Sequence, residues 1–175
     1  GDNVFLSRFD NEGQSASEIA SNPFVPEMSG DKDYFRTFGT RLLSGRAFTD
    51  ADRENTAPVA IVSEMIAKRM WPGENPIGKR IHYLLPDSIP WRTVIGVAED
   101  SHIRTLRSAT PIVYVPWRQM DFWQFGFAIR TRGELGAVLP ALRRELVPID
   151  PLFRLWYVHP TDELLAGPLT QPRIS

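Results

Sequence analysis

Proline recurs too often in this sequence for long, uninterrupted helices: 15 of 175 residues are Pro, and a further 12 are Gly. Each proline removes a backbone donor and each glycine is a ready turn, so many short elements are predicted. Apolar residues make up 42% and charged residues 23%. That is globular composition, which excludes a disordered or collagen-like chain. The length fits one domain or two small ones, enough to bury a core without staples.

Charge is balanced, with 20 basic and 21 acidic residues. A nucleic-acid partner is not expected, because such binders carry a net basic footprint. Cysteine is absent, which excludes disulfides, thiolate catalysis and Cys-based zinc sites. No apolar run approaches the ~20 residues of a membrane helix; the longest stretches are residues 94–98 and 112–115. No charged leader precedes an apolar run at Gly1, Asp2 and Asn3. The abrupt ends read as those of a fragment from a longer protein.

Along the chain, Val4, Leu6 and Phe9 suggest a short strand, and residues 11–22 read as a polar, mobile segment. Phe24 and Val25 begin a strand that Pro26 is expected to confine to a sheet edge. Asp33 is predicted to cap a helix over residues 34–38, closed by Gly39. Thr49, Asp50, Ala51 and Asp52 have the pattern of a capping box. Residues 59–62 read as a buried strand, followed by a helix through Met70 with Ser63 as its cap; Pro72 and Gly73 stop it. Asn75 to Gly78 is a turn, and residues 80–85 a strand. Residues 91–98 alternate, with Trp91, Thr93, Ile95 and Val97 on one side and Arg92, Val94, Gly96 and Ala98 on the other. Residues 112–115 and 125–130 read as further strands. Leu135, Val138, Leu139, Leu142 and Leu146 form the stripe of an amphipathic helix, which Pro140 limits to a regular part from about Gly136. A strand over 153–158 and a helix from Thr161 complete an α+β order. Changes of rhythm near residues 59 and 120 predict two units. Residues 1–58 and 120–175 form a discontinuous outer unit, and residues 59–119 a strand-rich insert.

Catalytic patterns are sparse. His82, His102 and His159 stand in no metal-binding spacing, and no P-loop, nucleophile elbow or dinucleotide fingerprint is present. Glu99, Asp100 and His102 form the one cluster able to hold a metal or run a hydrolysis, weighed against a solvated loop. Ser63 reads as a helix cap rather than a nucleophile, and Asp50, Asp52 and Glu54 as capping and surface charge rather than an acid pair. Phe122, Trp123, Gln124 and Phe125 place adjacent aromatics on opposite faces of a strand. One face is a candidate interaction surface. Phe122, Trp123 and Phe125, with His102 and Arg104 from the loop near residues 99–110, are the candidate contact residues. No catalytic, cofactor-binding or metal-ligating residue is assigned.

Several stretches resemble one family. Residues 34–39 (YFRTFG) and 43–49 (LSGRAFT), then VAIVSE from Val59 and RMWPGENPIGKRI from Arg69, are similar to the MacB-like periplasmic core domain of ABC transporter permeases. WRTVIGVAED from Trp91, VYVPWRQ from Val113, LPALRRELVPIDP from Leu139 and DELLAGPLTQPR from Asp162 continue the series. The resemblance spans about residues 33–173; the first 30 residues match poorly, and nothing is carried over onto them. It implies a porter-like α/β-sandwich subdomain interrupted by a smaller strand-rich one. It also implies an extracytoplasmic, non-catalytic position between membrane helices of a permease of the MacB/FtsX type. Such a permease is a homodimer in the cell membrane, driven by a cytoplasmic ATP-binding subunit or domain. ATP-driven motion is thereby coupled to substrate export or to activation of a periplasmic partner. No cofactor is implied. An extracytoplasmic ligand- or peptide-binding module is the alternative, and the isolated fragment is expected to be a monomer.

Overall fold

The computed structural model describes residues 6–84, 90–101, 109–120, 128–131, 135–146 and 148. The strands are β1 (Leu6–Asn11), β2 (Phe24–Gly30), β3 (Leu42–Gly45), β4 (Val59–Ser63), β5 (Arg80–Tyr83), β6 (Arg92–Ala98) and β7 (Val113–Pro116). The helices are α1 (Ala16–Ser21), α2 (Tyr34–Phe38), α3 (Glu64–Met70) and α4 (Leu135–Leu146), with a 3-10 turn at Trp117–Gln119. This mixed helix and strand content agrees with the α+β class expected.

The strands hydrogen-bond in the order β3-β6-β4-β7-β2-β1-β5, and β5 pairs back onto β6. Among the described residues six strands, β6-β4-β7-β2-β1-β5, therefore close into a ring. In it β1 and β2 are each divided between their two neighbours: Leu6 to Arg8 pair with β2 and Phe9 to Asn11 with β5, and Phe24 to Pro26 pair with β1 and Glu27 to Gly30 with β7. One edge of β6 holds β4. Its other edge is divided between β5, at Arg92 and Thr93, and β3, at Gly96 to Ala98. Among the described residues β1, β2 and β3 of the expected outer unit share one sheet with β4 to β7 of the expected insert. The expected outer unit's second half, residues 120–175, falls largely outside the described residues.

Closure buries the inner face of β4 and β7 and α2 covers their outer face, which is why both strands read as unbroken apolar runs. Inward-facing Phe9, Val25, Val62, Ile81, Val94 and Val113, one from each strand of the ring, pack with Ile66, Met70 and Trp71 of α3 and its cap. Outside the ring, Tyr34 and Phe35 of α2 cover Ile61 and Tyr114. The Phe35 and Tyr114 rings meet edge-on at 5.0 Å. Each fully buried large apolar side chain contributes about 1.5–3 kcal/mol relative to its exposed state.

Several local expectations fail for identifiable reasons. Residues 11–22 are not all irregular: Ser15 caps α1, its hydroxyl accepting from the Glu18 N–H while the Glu18 carboxylate accepts from the Ser15 N–H. That reciprocal pair stood in the sequence as S-x-x-E. Pro26 lies inside the sheet, opposite Leu6 of β1. It is tolerated because β7 begins to pair with β2 only at Glu27. In β6 the simple alternation breaks between Val94 and Gly96, where the register against β4 shifts. The extra residue, Ile95, turns Val97 inward with Val94 and sends Ala98 to the outer cluster. Asp33 makes no cap bond; Asp31 Oδ1 accepts from the Asp33 N–H instead, whereas Gly39 closes α2 at φ 74° as expected. Pro140 sits within α4, whose start at Leu135 places it in the second turn. The Gly136 carbonyl thereby loses its intrahelical donor.

Candidate functional site

Phe122, Trp123, Phe125, His102 and Arg104, the residues expected to form a contact surface, lie outside the described residues. Glu99 and Asp100 are described, and both are held by structural partners. The Arg41 N–H and Nε donate to the two Glu99 carboxylate oxygens at 2.8 and 2.9 Å. These bonds, the backbone one first, hold the Glu99 carboxyl below its ordinary range. Asp100 Oδ1 accepts from the Met65 N–H at 2.9 Å, so Asp100 caps α3 from a distant loop. Ser63, the expected cap, makes no capping bond; its Oγ accepts from the Ile112 N–H at 3.0 Å and ties β4 to β7. Asp52 is a turn anchor, accepting from the Thr49 N–H and bidentately from Arg46 at 2.7 and 2.8 Å. Among the described residues no three His, Asp or Glu side chains converge as a metal site.

Asp100→Ala is expected to lower stability by about 1 kcal/mol through loss of the helix cap. Chemical denaturation reads this directly. A metal-ligating role would appear instead as a rise in Tm with added Zn²⁺ that the substitution abolishes.

One mouth of the ring is polar. Glu27 stands two residues from inward-facing Val25, and Arg92 two residues from inward-facing Val94, so strand alternation sends both into the barrel. Arg92 is only 4% exposed. Its Nη1 donates to Gln119 Oε1 at 3.1 Å and its Nη2 to the Gln119 carbonyl at 3.1 Å. Gln119 Oε1 also accepts from the Val59 N–H at 3.0 Å. On its other side, Gln119 Nε2 faces the Thr56 hydroxyl and the Ala57 carbonyl, both at 3.1 Å. The amide thus uses both acceptor lone pairs and both N–H groups. A recess of ≈ 270 Å³ opens beside it, bordered by Arg53, Asn55, Pro90 and Met120.

Glu27 and Arg92 feel each other's charge without a hydrogen bond between them among the described residues. Glu27 Oε2 and Arg92 Nε are both buried and unpartnered there. Burial pushes the Glu27 carboxyl up to about 7, opposed by the Arg92 charge, from an ordinary 4.5. Burial also lowers Arg92, opposed by Glu27. The fold therefore keeps a proton on Glu27 that the unfolded chain has already lost between about pH 4.5 and 7. Stability must fall as pH rises through that window and level off above it. Glu27→Gln is expected to flatten the slope and to exceed the parent at about pH 8 by about 1–3 kcal/mol. Urea unfolding at about pH 5 and about pH 8 checks the sign; a variant less stable at the higher pH contradicts it.

Sequence reasoning missed this mouth. The available signal was Arg92 in phase with Val94, a charge on a face otherwise apolar. Gln119 carried no signal, because its partners are 60 and 27 residues away.

Comparison with known proteins gives a consistent family. The sequence model of the MacB-like periplasmic core domain matches residues 5–148. It takes in the N-terminal stretch that the motif series left unmatched, and it stops before the motif at Asp162. An uncharacterized ABC transporter permease of Bacillus subtilis (strain 168) is 28% identical over 110 residues, 60% of this chain and 26% of that protein. A macrolide export ATP-binding/permease protein of Aggregatibacter actinomycetemcomitans is 29% identical over 86 residues, 49% of this chain and 13% of that protein. The chain therefore spans about a quarter or less of these curated relatives' length. The crystal structure of the periplasmic region of MacB from Actinobacillus actinomycetemcomitans shares the fold. Its TM-score is 0.63 at 16% identity, over 97% of this chain and 74% of that one. Among the described residues no helix is long and apolar enough to cross a membrane.

Proposed function

Since the chain belongs to the MacB-like periplasmic core domain family, we propose that it is the extracytoplasmic domain of an ABC transporter permease. In this reading it performs no reaction. It passes motion generated by a cytoplasmic ATP-binding subunit or domain to substrate export or to a periplasmic partner. The whole permease acts as a homodimer in the cell membrane, and its membrane segments make the dimer contact. Phe122, Trp123 and Phe125, with His102 and Arg104, are the proposed contact residues for a partner.

The observation that carries this reading, beyond family membership, is the closed ring. Its inner face is buried along all six strands, its outer face is covered by α2 over Ile61 and Tyr114, and it is pinned at the mouth by Gln119. A body that transmits force must not shear, and a ring in which every strand pairs with two neighbours resists shear. Asp100, Ser63, Asp52 and Gln119 are engaged in a cap, an inter-strand tie, a turn and the mouth network, which suits a mechanical part. The full-length protein isolated from membranes is expected to carry ATPase activity from an attached or co-purifying ATP-binding subunit. A full-length protein without apolar segments of ~20 residues and without an associated ATPase contradicts the proposal.

A further inference from the structure

We propose that Gln119 is the clasp through which displacement of the chain beyond residue 120 is passed to the ring, a positioning residue for the motion described above. This deepens the reading of the domain as a force-transmitting part and rests on it. The placement is topological. β7 lies between β4 and β2 in the ring, and the 3-10 turn Trp117–Gln119 leads out from its end. Whatever pulls on the following chain pulls first on that turn. If β7 alone took the load, it would be drawn from the sheet end-first, one ladder bond after another.

Gln119 prevents this by spreading the load sideways. Its Oε1 holds the Val59 N–H at the start of β4 and the Arg92 guanidinium of β6. Its carbonyl takes a second bond from Arg92. Its Nε2 grips the 53–57 loop at Thr56 and Ala57. Three strands and a loop therefore meet at one residue, and bonds in one network must fail together rather than in sequence. Arg92 is itself paired in the sheet with Ile81 of β5, and its Nη1 also faces the Val59 carbonyl at 3.4 Å.

Direction of pull separates this role from ordinary stabilisation. The chain has no cysteine, so introduced cysteines give unique handles for single-molecule force measurement. Both pairs carry Arg130→Ala, which removes the bond from Arg130 Nε to the Thr37 carbonyl of α2. Glu12→Cys with Ala128→Cys then loads the ring through residue 119, and Glu12→Cys with Arg36→Cys loads it without passing through residue 119. Gln119→Met is expected to reduce the rupture force by about half in the first geometry and to leave the second nearly unchanged, since the lost bonds lie in series only with the first. Gln119→Glu keeps the acceptor for Val59 and Arg92 but loses both donors to the 53–57 loop, so an intermediate loss is expected in the first geometry alone. Equal losses in both geometries make Gln119 a general stabiliser and overturn the proposal, as does an unchanged force in the first. If Gln119→Met does not fold, Gln119→Glu decides by the same comparison. The measurement uses no nucleotide and no transporter, so its outcome is independent of whether the domain serves an ATP-driven permease.

Discussion

Gly45→Ala is expected to cost the chain about 3–5 kcal/mol, enough to leave a marginal domain partly unfolded at 37 °C. Gly45 ends β3 at φ 75°, a left-handed conformation that costs a residue with a Cβ about 1–2 kcal/mol. It also stands hard against β6. A Cβ there would lie 2.2 Å from the Ile95 carbonyl oxygen and 2.8 Å from the Gly96 Cα, both backbone atoms that cannot rotate away. Retreat of β3 would break the bond that the next residue makes, Arg46 N–H to the same Ile95 oxygen at 2.9 Å. The internal control is Gly73→Ala. Gly73 has a similar φ of 77°, with nothing within 4 Å of the added atom. That variant is expected to lose only the conformational cost, about 1 kcal/mol. Thermal unfolding of the pair separates conformation from crowding; equal losses contradict the packing argument.

Arg92→Met is expected to be as damaging, at about 3–5 kcal/mol, because it removes the charge facing Glu27 and the donors holding Gln119. The loss has a pH signature. Without the guanidinium the Glu27 carboxyl moves still higher, so stability goes on falling above the pH of about 7 at which the parent levels off. The gap between variant and parent therefore widens from about pH 6 to about pH 9 in urea unfolding. Adding Glu27→Gln is expected to recover a large part of the loss, since removing both members of a buried pair costs far less than removing one. A double variant no better than Arg92→Met would show that the damage comes from Gln119 alone.

The elements legible in the sequence are those whose causes are local. β4 was readable from its apolar run, α2 from its aromatic spacing and Gly39, and α3 from the turn of Ile66, Ala67 and Met70 onto one face. Even α1 had its signature in Ser15 and Glu18, passed over because the surrounding residues are polar. What stayed hidden depends on distant pairing. Closure of the ring requires β5 to meet β6 at Arg80 opposite Thr93 and Ile81 opposite Arg92, a contact that no periodicity announces. The bulge at Ile95 reverses the outward and inward faces of β6 midway, so a correct strand assignment still misplaced Val97. Asp100 capping α3 and Ser63 tying β7 are likewise exchanges of role between residues far apart in sequence. The resemblance to the permease family supplied the functional frame, while the mouth formed by Glu27, Arg92 and Gln119 emerged only from the fold.

Distances within and between rings test most directly whether this domain moves as one stiff piece under ATP. In the intact transporter with its ATPase, spin labels at Glu12→Cys and Arg36→Cys of one ring are expected to keep the same separation with and without ATP. Labels at Glu12→Cys on the two protomers are expected to shift by roughly several ångströms when ATP is bound. A separation within one ring that changes with ATP, or a separation between protomers that does not, contradicts a rigid, ATP-driven lever.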